Sequence, residues 1–213
     1  MVSPEINPFF TRGGQGEASE PPATAAVIKA LKMLPHIEGG YFAETDRDPL
    51  LIPSPFPITP ASEATLALAG PQRPGFDPKV RNASTTIFYL LTPGSPQGNF
   101  HRNRARTVHT LHKGRGRYVL IDAAGEVETF VVGHDVARGE RLQWIVEGDH
   151  YKASYLLPDR EGGDSSAEGL LISETVVPGF EYCDHDFLAR DGLGKLLGAE
   201  RAKGLEWLVR RDN

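Results

Sequence analysis

The sequence predicts an all-β sandwich or barrel with a few short helices at its N- and C-terminal ends. Two observations carry this. From Thr86 onward, short runs rich in Val, Ile, Thr, Tyr and Phe alternate with turn residues every 8–12 positions. The runs are TIFYLL (86–91), an extended piece around Asn99–Asn103, TVHTLH (107–112), RYVLID (117–122), VETFVV (127–132), RLQWIV (141–146), KASYLL (152–157) and LLISETVV (170–177). The second observation is a polar stretch, Ser84 to Asp122, which holds His101, His109 and His112, three of the seven histidines, between apolar flanks. A small polar cluster on strands enclosed by apolar ones is the pattern of a binding pocket inside a β-structure.

In chain order, residues 1–22 are rich in Gly, Pro, Glu and Ser and read as a mobile lead-in. Residues 23–213 read as one domain, long enough for a proper hydrophobic core. ATAAVIKALKML (23–34) reads as one helix, with Val27, Leu31 and Leu34 at helical spacing and Pro35 as its stop. In PHIEGGYFAET (35–45), Gly39-Gly40 permits a tight turn or bulge before a strand opening at Tyr41-Phe42. Residues 46–81 carry eight prolines, so a long surface excursion or lid with at most short edge strands is expected there. Ala124-Gly125 marks a hairpin, DREGGDSSAE (159–168) a polar loop, and the tail from Asp186 one or two short helices.

The 28 acidic and 23 basic residues leave a formal charge of −5, which argues against a general nucleic-acid binder. The single cysteine, Cys183, excludes an internal disulfide and fits a reducing compartment. No apolar run reaches the roughly 18–20 residues of a membrane span, and the N-terminus lacks signal-peptide order. Cytoplasmic residence without membrane contact is the expectation.

Within the central stretch, residues 101–109 form one strand, or two separated by a turn near Asn103–Arg106. Either way strand alternation places His101 with Asn103, and Thr107 with His109, on shared faces. Arg102 to Arg117 holds six Lys or Arg and no acid, which suits an anionic ligand or a charged strand edge.

These residues resemble the first cupin motif, with His101 at its first histidine, Asn103 at its second, Thr107 at its glutamate and Gly114 at its closing glycine. The second motif falls on EGDHYKASYL (147–156), where Lys152 stands at the histidine position. A metal cupin uses three histidines and a glutamate. Of these only His101 is kept, and an ammonium at Lys152 would repel a cation, so no metal cofactor is expected. His109 or His150 would have to rebuild such a site. A narrower resemblance rests on PHIEGGYFAET, STTIFYLLTPGSPQGNFH and VVPGFEYCDHDFL (176–188), with FHRNRARTVH between the last two. It is to the fungal-type branch of a single-domain cupin family of unknown function found in bacteria and fungi. The resemblance implies a cupin jelly-roll β-barrel that pairs into a homodimer.

In that register His101, Asn103, Thr107, His109, Lys152, Trp144 and Glu174 are candidate ligand-binding residues. Lys152 would point inward, where an anionic ligand group or a carboxylate such as Glu174 would offset the cost of burying it. Glu44 and Asp184 are further polar lining. Sugar-nucleotide epimerases of this fold use a histidine base and a tyrosine acid, so the resemblance implies His101 or His109 with Tyr89 or Tyr155 as catalytic candidates. The function expected is binding of a small polar metabolite, sugar-nucleotide-like and anionic, with metal-independent epimerase or isomerase activity. The alternatives are a non-catalytic binding or storage-like cupin and a metal-dependent enzyme.

Overall fold

The computed structural model of the chain describes residues 6–11 and 20–211. Helix α1 (Pro22–Ala30) is followed by strands β1 (Leu34–Pro35), β2 (Tyr41–Arg47) and β3 (Leu51–Pro53), helix α2 (Glu63–Ala69), and strand β4 (Val80–Asn82). Strands β5 (Thr85–Leu91), β6 (Gln97–Asn103), β7 (Arg106–Lys113), β8 (Gly116–Ile121) and β9 (Val127–Val132) come next. The chain continues through β10 (Gln143–Val146), β11 (Tyr151–Leu156), β12 (Leu170–Val177) and β13 (His185–Phe187) to helices α3 (Arg190–Leu197) and α4 (Ala199–Lys203).

The strands form two facing antiparallel sheets. One runs β1-β2-β5-β12-β7-β10 and the other β13-β6-β11-β8-β9, with β3 and β4 paired apart from both. Consecutive strands β6 and β7 lie in different sheets, so Arg104 and Ala105 form the turn that carries the chain across. This is the expected all-β jelly roll, a sandwich whose two sheets are not closed into a continuous barrel.

Burial follows which faces are covered. Along β12 it alternates strictly, because only one face meets the opposite sheet. Along β8 it is nearly continuous. There Tyr118 and Leu120 point between the sheets, while Val119 and Ile121 meet a second core formed with Leu193, Leu197, Leu205 and Leu208 of the C-terminal tail. Each such fully buried aliphatic side chain contributes roughly 1.5–3 kcal/mol.

Several expected boundaries shift. Helix α1 ends at Ala30; Lys32 takes a left-handed φ of 52°, and Pro35 sits in a short strand. Leu34, expected on the packed face, is 63% exposed. The lead-in falls largely outside the described residues, but Trp207 Nε1 donates to the Ile6 carbonyl at 3.2 Å and Phe10 packs on the inter-sheet core. The proline-rich excursion carries a helix, capped by Ser62 accepting from the Thr65 amide, besides its short strands. The tail begins with a strand, β13, which pairs with β6.

Arg81 fastens the excursion to the body. It is 2% exposed and donates from Nε and Nη2 to the Asp184 carboxylate at 2.7 and 3.0 Å. Nη1 donates to the carbonyls of Pro78 and Val80, and the rings of Phe56 and Phe76 lie under the guanidinium. Arg81→Met would leave the Asp184 charge buried and unpaired and is expected to cost about 3–5 kcal/mol. Urea unfolding monitored by circular dichroism measures this; an unchanged midpoint would refute the role.

Candidate functional site

The inward residues of β12 run Leu170, Ile172, Glu174, Val176, so the space between the sheets turns from apolar to polar within one strand. Glu174 meets Lys152 from the opposite sheet, with Lys152 Nζ donating to Glu174 Oε2 at 2.6 Å. His109, beside Glu174 on β7, places Nε2 3.0 Å from the same Nζ. Both charges are almost wholly buried.

A second buried carboxylate, Glu38, comes from the turn between β1 and β2. Gly40 holds a φ of 69°, and a Cβ there would lie 2.6 Å from the Leu90 carbonyl oxygen, so only glycine makes this turn. The Glu38 carbonyl accepts from the Asn99 amide at 2.7 Å and from Asn99 Nδ2 at 2.8 Å, and the Tyr89 hydroxyl donates to the Gly39 carbonyl at 2.9 Å. The turn is thus pinned between the sheets. Glu38 Oε2 lies 3.1 Å from His101 Nε2 and 3.4 Å from His36 Nδ1, and Oε1 lies 3.2 Å from His185 Nε2. The rings of His101 and His185 stack at 5.4 Å, nearly parallel.

Burial sets the charge states. Burial, with Lys152 and His185 adding to it, pushes the His101 imidazole down to about 3 although Glu38 opposes this. Burial and then Lys152 also lower His109. Burial alone would raise Glu174, but Lys152 and His109 outweigh it and hold the carboxyl well below its usual range. Glu38 is likewise held down against burial by His101, His36 and His185. Tyr118 is pushed well up by burial and by Glu174, which keeps it a phenol.

These groups face two spaces that share Glu38 and Glu174 in their linings. A cavity of about 320 Å³ has Phe42, Ile87, Val176, Phe180 and Tyr182 on its walls and His36, Glu38, Asn103 and Glu174 on its floor. Pro71, Gln72 and Arg73 of the proline-rich excursion close one side. At the rim, Arg47 and Arg73 both donate to Glu181 Oε1, at 2.9 and 2.8 Å, and Arg47 also to Glu44. Behind Glu38 and Glu174 lies a chamber of about 10 Å³, lined also by Tyr89, His101, Tyr118, Lys152 and Ser154.

Residues 25–188 match the family described as Cupin superfamily (DUF985). The chain belongs to that family. It is 44% identical over 192 residues to an uncharacterised protein of Saccharomyces cerevisiae, covering 89% of this chain and 88% of the yeast protein. Among solved structures, this cupin is similar to a hypothetical protein from Leishmania major, with a TM-score of 0.70 and 26% identity. That match covers 89% of this chain and 99% of the other. A Shewanella oneidensis protein superposes with a TM-score of 0.66 at 23% identity over 89% of this chain and 99% of its own, a likeness of fold.

Of the candidate residues, Asn103 and Glu174 line the main cavity, while Tyr89, His101, Lys152 and Glu174 line the inner chamber. Thr107 and His109 are buried but line neither space. Trp144 belongs to the apolar core, where its ring stacks on His109 at 5.1 Å. Tyr155 faces the other side of its sheet and packs edge-on against Trp207, because alternation along β11 turns Lys152 and Ser154 inward and Ala153 and Tyr155 outward. His150 sits in a turn at the Gly148 carbonyl, away from both spaces. Two arginines of the basic stretch are engaged elsewhere: Arg102 lies over the Tyr151 ring, and Arg106 pairs with Glu147 at 3.0 Å.

Glu38, His185 and Tyr118 were not expected here. Glu38 stood within the PHIEGG motif and His185 within VVPGFEYCDHDFL. Among the described residues no group of three or more His, Cys, Asp or Glu is arranged to hold a metal ion. The parallel rings of His101 and His185 meet separate oxygens of one carboxylate instead of converging on a point.

A histidine buried in its neutral form lowers acid stability. In the unfolded chain His101 titrates near 6.5, so between there and its folded value of about 3 the unfolded state binds more protons. Stability is expected to be full above about pH 6.5 and to fall as pH drops, with Glu174 adding its loss below about pH 4.3. Urea midpoints across this range test it; His101→Gln should flatten the upper limb. Equal midpoints at neutral and mildly acidic pH for the unsubstituted chain would refute it.

Proposed function

We propose that this cupin binds a small polar organic metabolite in the cavity between its sheets, without a metal ion. The observation that carries the reading is the cavity itself, of about 320 Å³, with aromatic walls over a floor of buried, oriented polar groups. That combination of apolar walls and a few placed polar groups is what small-molecule sites have in common. The metal-free reading rests on Lys152: its ammonium stands where the resemblance would put a metal ligand, and it is already paired with Glu174 at 2.6 Å. Cytoplasmic residence fits the single, buried thiol of Cys183.

Charge favours a ligand other than the sugar-nucleotide-like anion expected. Glu38 and Glu174 face a single buried ammonium, and the rim arginines are engaged by Glu181 and Glu44. An epimerase or isomerase reading is supported by one feature, the placing of His101, Tyr89 and Tyr118 around the same inner chamber. A thermal-shift screen of neutral sugars, sugar nucleotides, amines and heterocycles should raise the melting temperature with members of one class. A screen in which nothing shifts would sink the binding reading. Deuterium wash-in from solvent to carbon of a hit separates turnover from binding; no exchange above the protein-free rate leaves a binding module.

A homodimer is the expected assembly, and the outer face of the six-stranded sheet supports it. Across β5, β12, β7 and β10, rows Phe88-Ser173-Thr110-Gln143 and Thr86-Thr175-Val108-Ile145 carry no charge, and the first charge beside them is Asp46 of β2, paired with Thr86. Phe88→Arg should convert a dimer to a monomer in light scattering at fixed concentration; a dimer that survives it would exclude this face.

A further inference from the structure

We propose that the inner chamber is a subsite for a primary ammonium group, so that the ligand of the main cavity is a primary amine on a ring or short carbon body. The proposal rests on the binding reading above and goes beyond it by naming the ligand class.

The first ground is an excess of buried acceptors. His101 Nδ1 lies 2.8 Å from the Asn99 carbonyl and must donate to it, so Nε2 is left as an acceptor. That Nε2 is buried with no aligned partner, and it stands 3.1 Å from Glu38 Oε2, which also only accepts. Asn103 Oδ1, on the cavity floor, is buried and unpartnered as well. His101 and Asn103 are 4% and 8% exposed, so water does not reach these atoms freely. A buried acceptor left alone costs about 1–3 kcal/mol; His101 stands at the inner chamber and Asn103 at the main cavity, and each calls for a ligand that donates there.

Size and charge narrow the donor. The chamber, at about 10 Å³, holds one water-sized group. A primary ammonium is that size and carries three donors. Burial keeps His101 and His109 neutral at ordinary pH, so among the residues that line the chamber Glu38 and Glu174 outnumber Lys152 by one charge, with His36 and His185 beside Glu38 at 3.4 and 3.2 Å. One ammonium cancels it. A carboxylate or phosphate would add to it, in a space from which water is largely excluded.

The test is calorimetry on the full chain with benzylamine, benzyl alcohol and benzoate, which share a ring and differ in the group offered to the chamber. Benzylamine should bind at least about tenfold tighter than benzyl alcohol, the difference that a charge-assisted hydrogen bond makes. Benzoate should bind weakest. Glu38→Gln should remove the preference for the amine, in a variant whose melting shows it folded. A measurement on the unsubstituted chain guards against misfolding: the His101 Nε2 nitrogen-15 resonance should move with benzylamine and stay with benzyl alcohol. Benzyl alcohol or benzoate binding as tightly as benzylamine would overturn the ammonium subsite and leave the cavity reading standing. No binding of the three, alongside a hit lacking an amine in the metabolite screen, overturns the subsite alone; failure of both experiments overturns the two readings together.

Discussion

The ion pair between Lys152 and Glu174 crosses the gap between the two sheets, and the polar half of the sandwich depends on it. Each charge alone would cost several kcal/mol to bury, so neither can occupy its inward position without the other. The pair sets the charge states around it. Glu174 stays ionised because Lys152 is there, and His109 is kept neutral by burial and by the same ammonium. A buried pair of this kind contributes little net stability against an apolar replacement. What it provides is a fixed, oriented floor.

The rest of the site is arranged to keep that floor closed to bulk water and open to a ligand. The Gly39-Gly40 turn pushes Glu38 inward and is pinned by Asn99 and Tyr89. The proline-rich excursion covers the other side, held by the buried Arg81–Asp184 pair and by Thr65, whose hydroxyl lies 3.2 Å from His185 Nδ1. The excursion is thus part of the site's wall and not a bystander on the surface. Proline density, which keeps it out of the sheets, is also what lets it follow a fixed path over the opening.

Most of the sheet was legible because a strand's two-residue period is written in local residue order. The eight strands from Thr86 to Val177 fall within a few residues of expectation, and the inward direction of Lys152, with a carboxylate such as Glu174 to offset its burial, was implied by the register of the second cupin motif. Helix α1 was overread because Ala, Lys and Leu favour helix on both sides of Lys32, whereas the pairing of Leu34 and Pro35 with β2 ends it early. Tyr155 was misassigned because its strand is buried on both faces, so burial gives no alternation to read. Three histidines near in sequence marked the polar stretch, but His185, far along the chain, joins His101 only in the fold.

The sequence by itself determined the strand periods, the Gly39-Gly40 turn, the family and the loss of the metal-type residues at positions 103, 107 and 152. Those are local or motif properties, carried by neighbours along the chain. Only the tertiary structure decided that Glu38, His101 and His185 share one carboxylate, and that Arg81 anchors the excursion to Asp184. It alone showed that the central polar stretch is one wall of a cavity whose floor is acidic. These depend on side chains from different sheets approaching within about 3 Å, and no local signal encodes such a distance. They arise when the packing of two sheets forces buried polar groups to find partners across the gap.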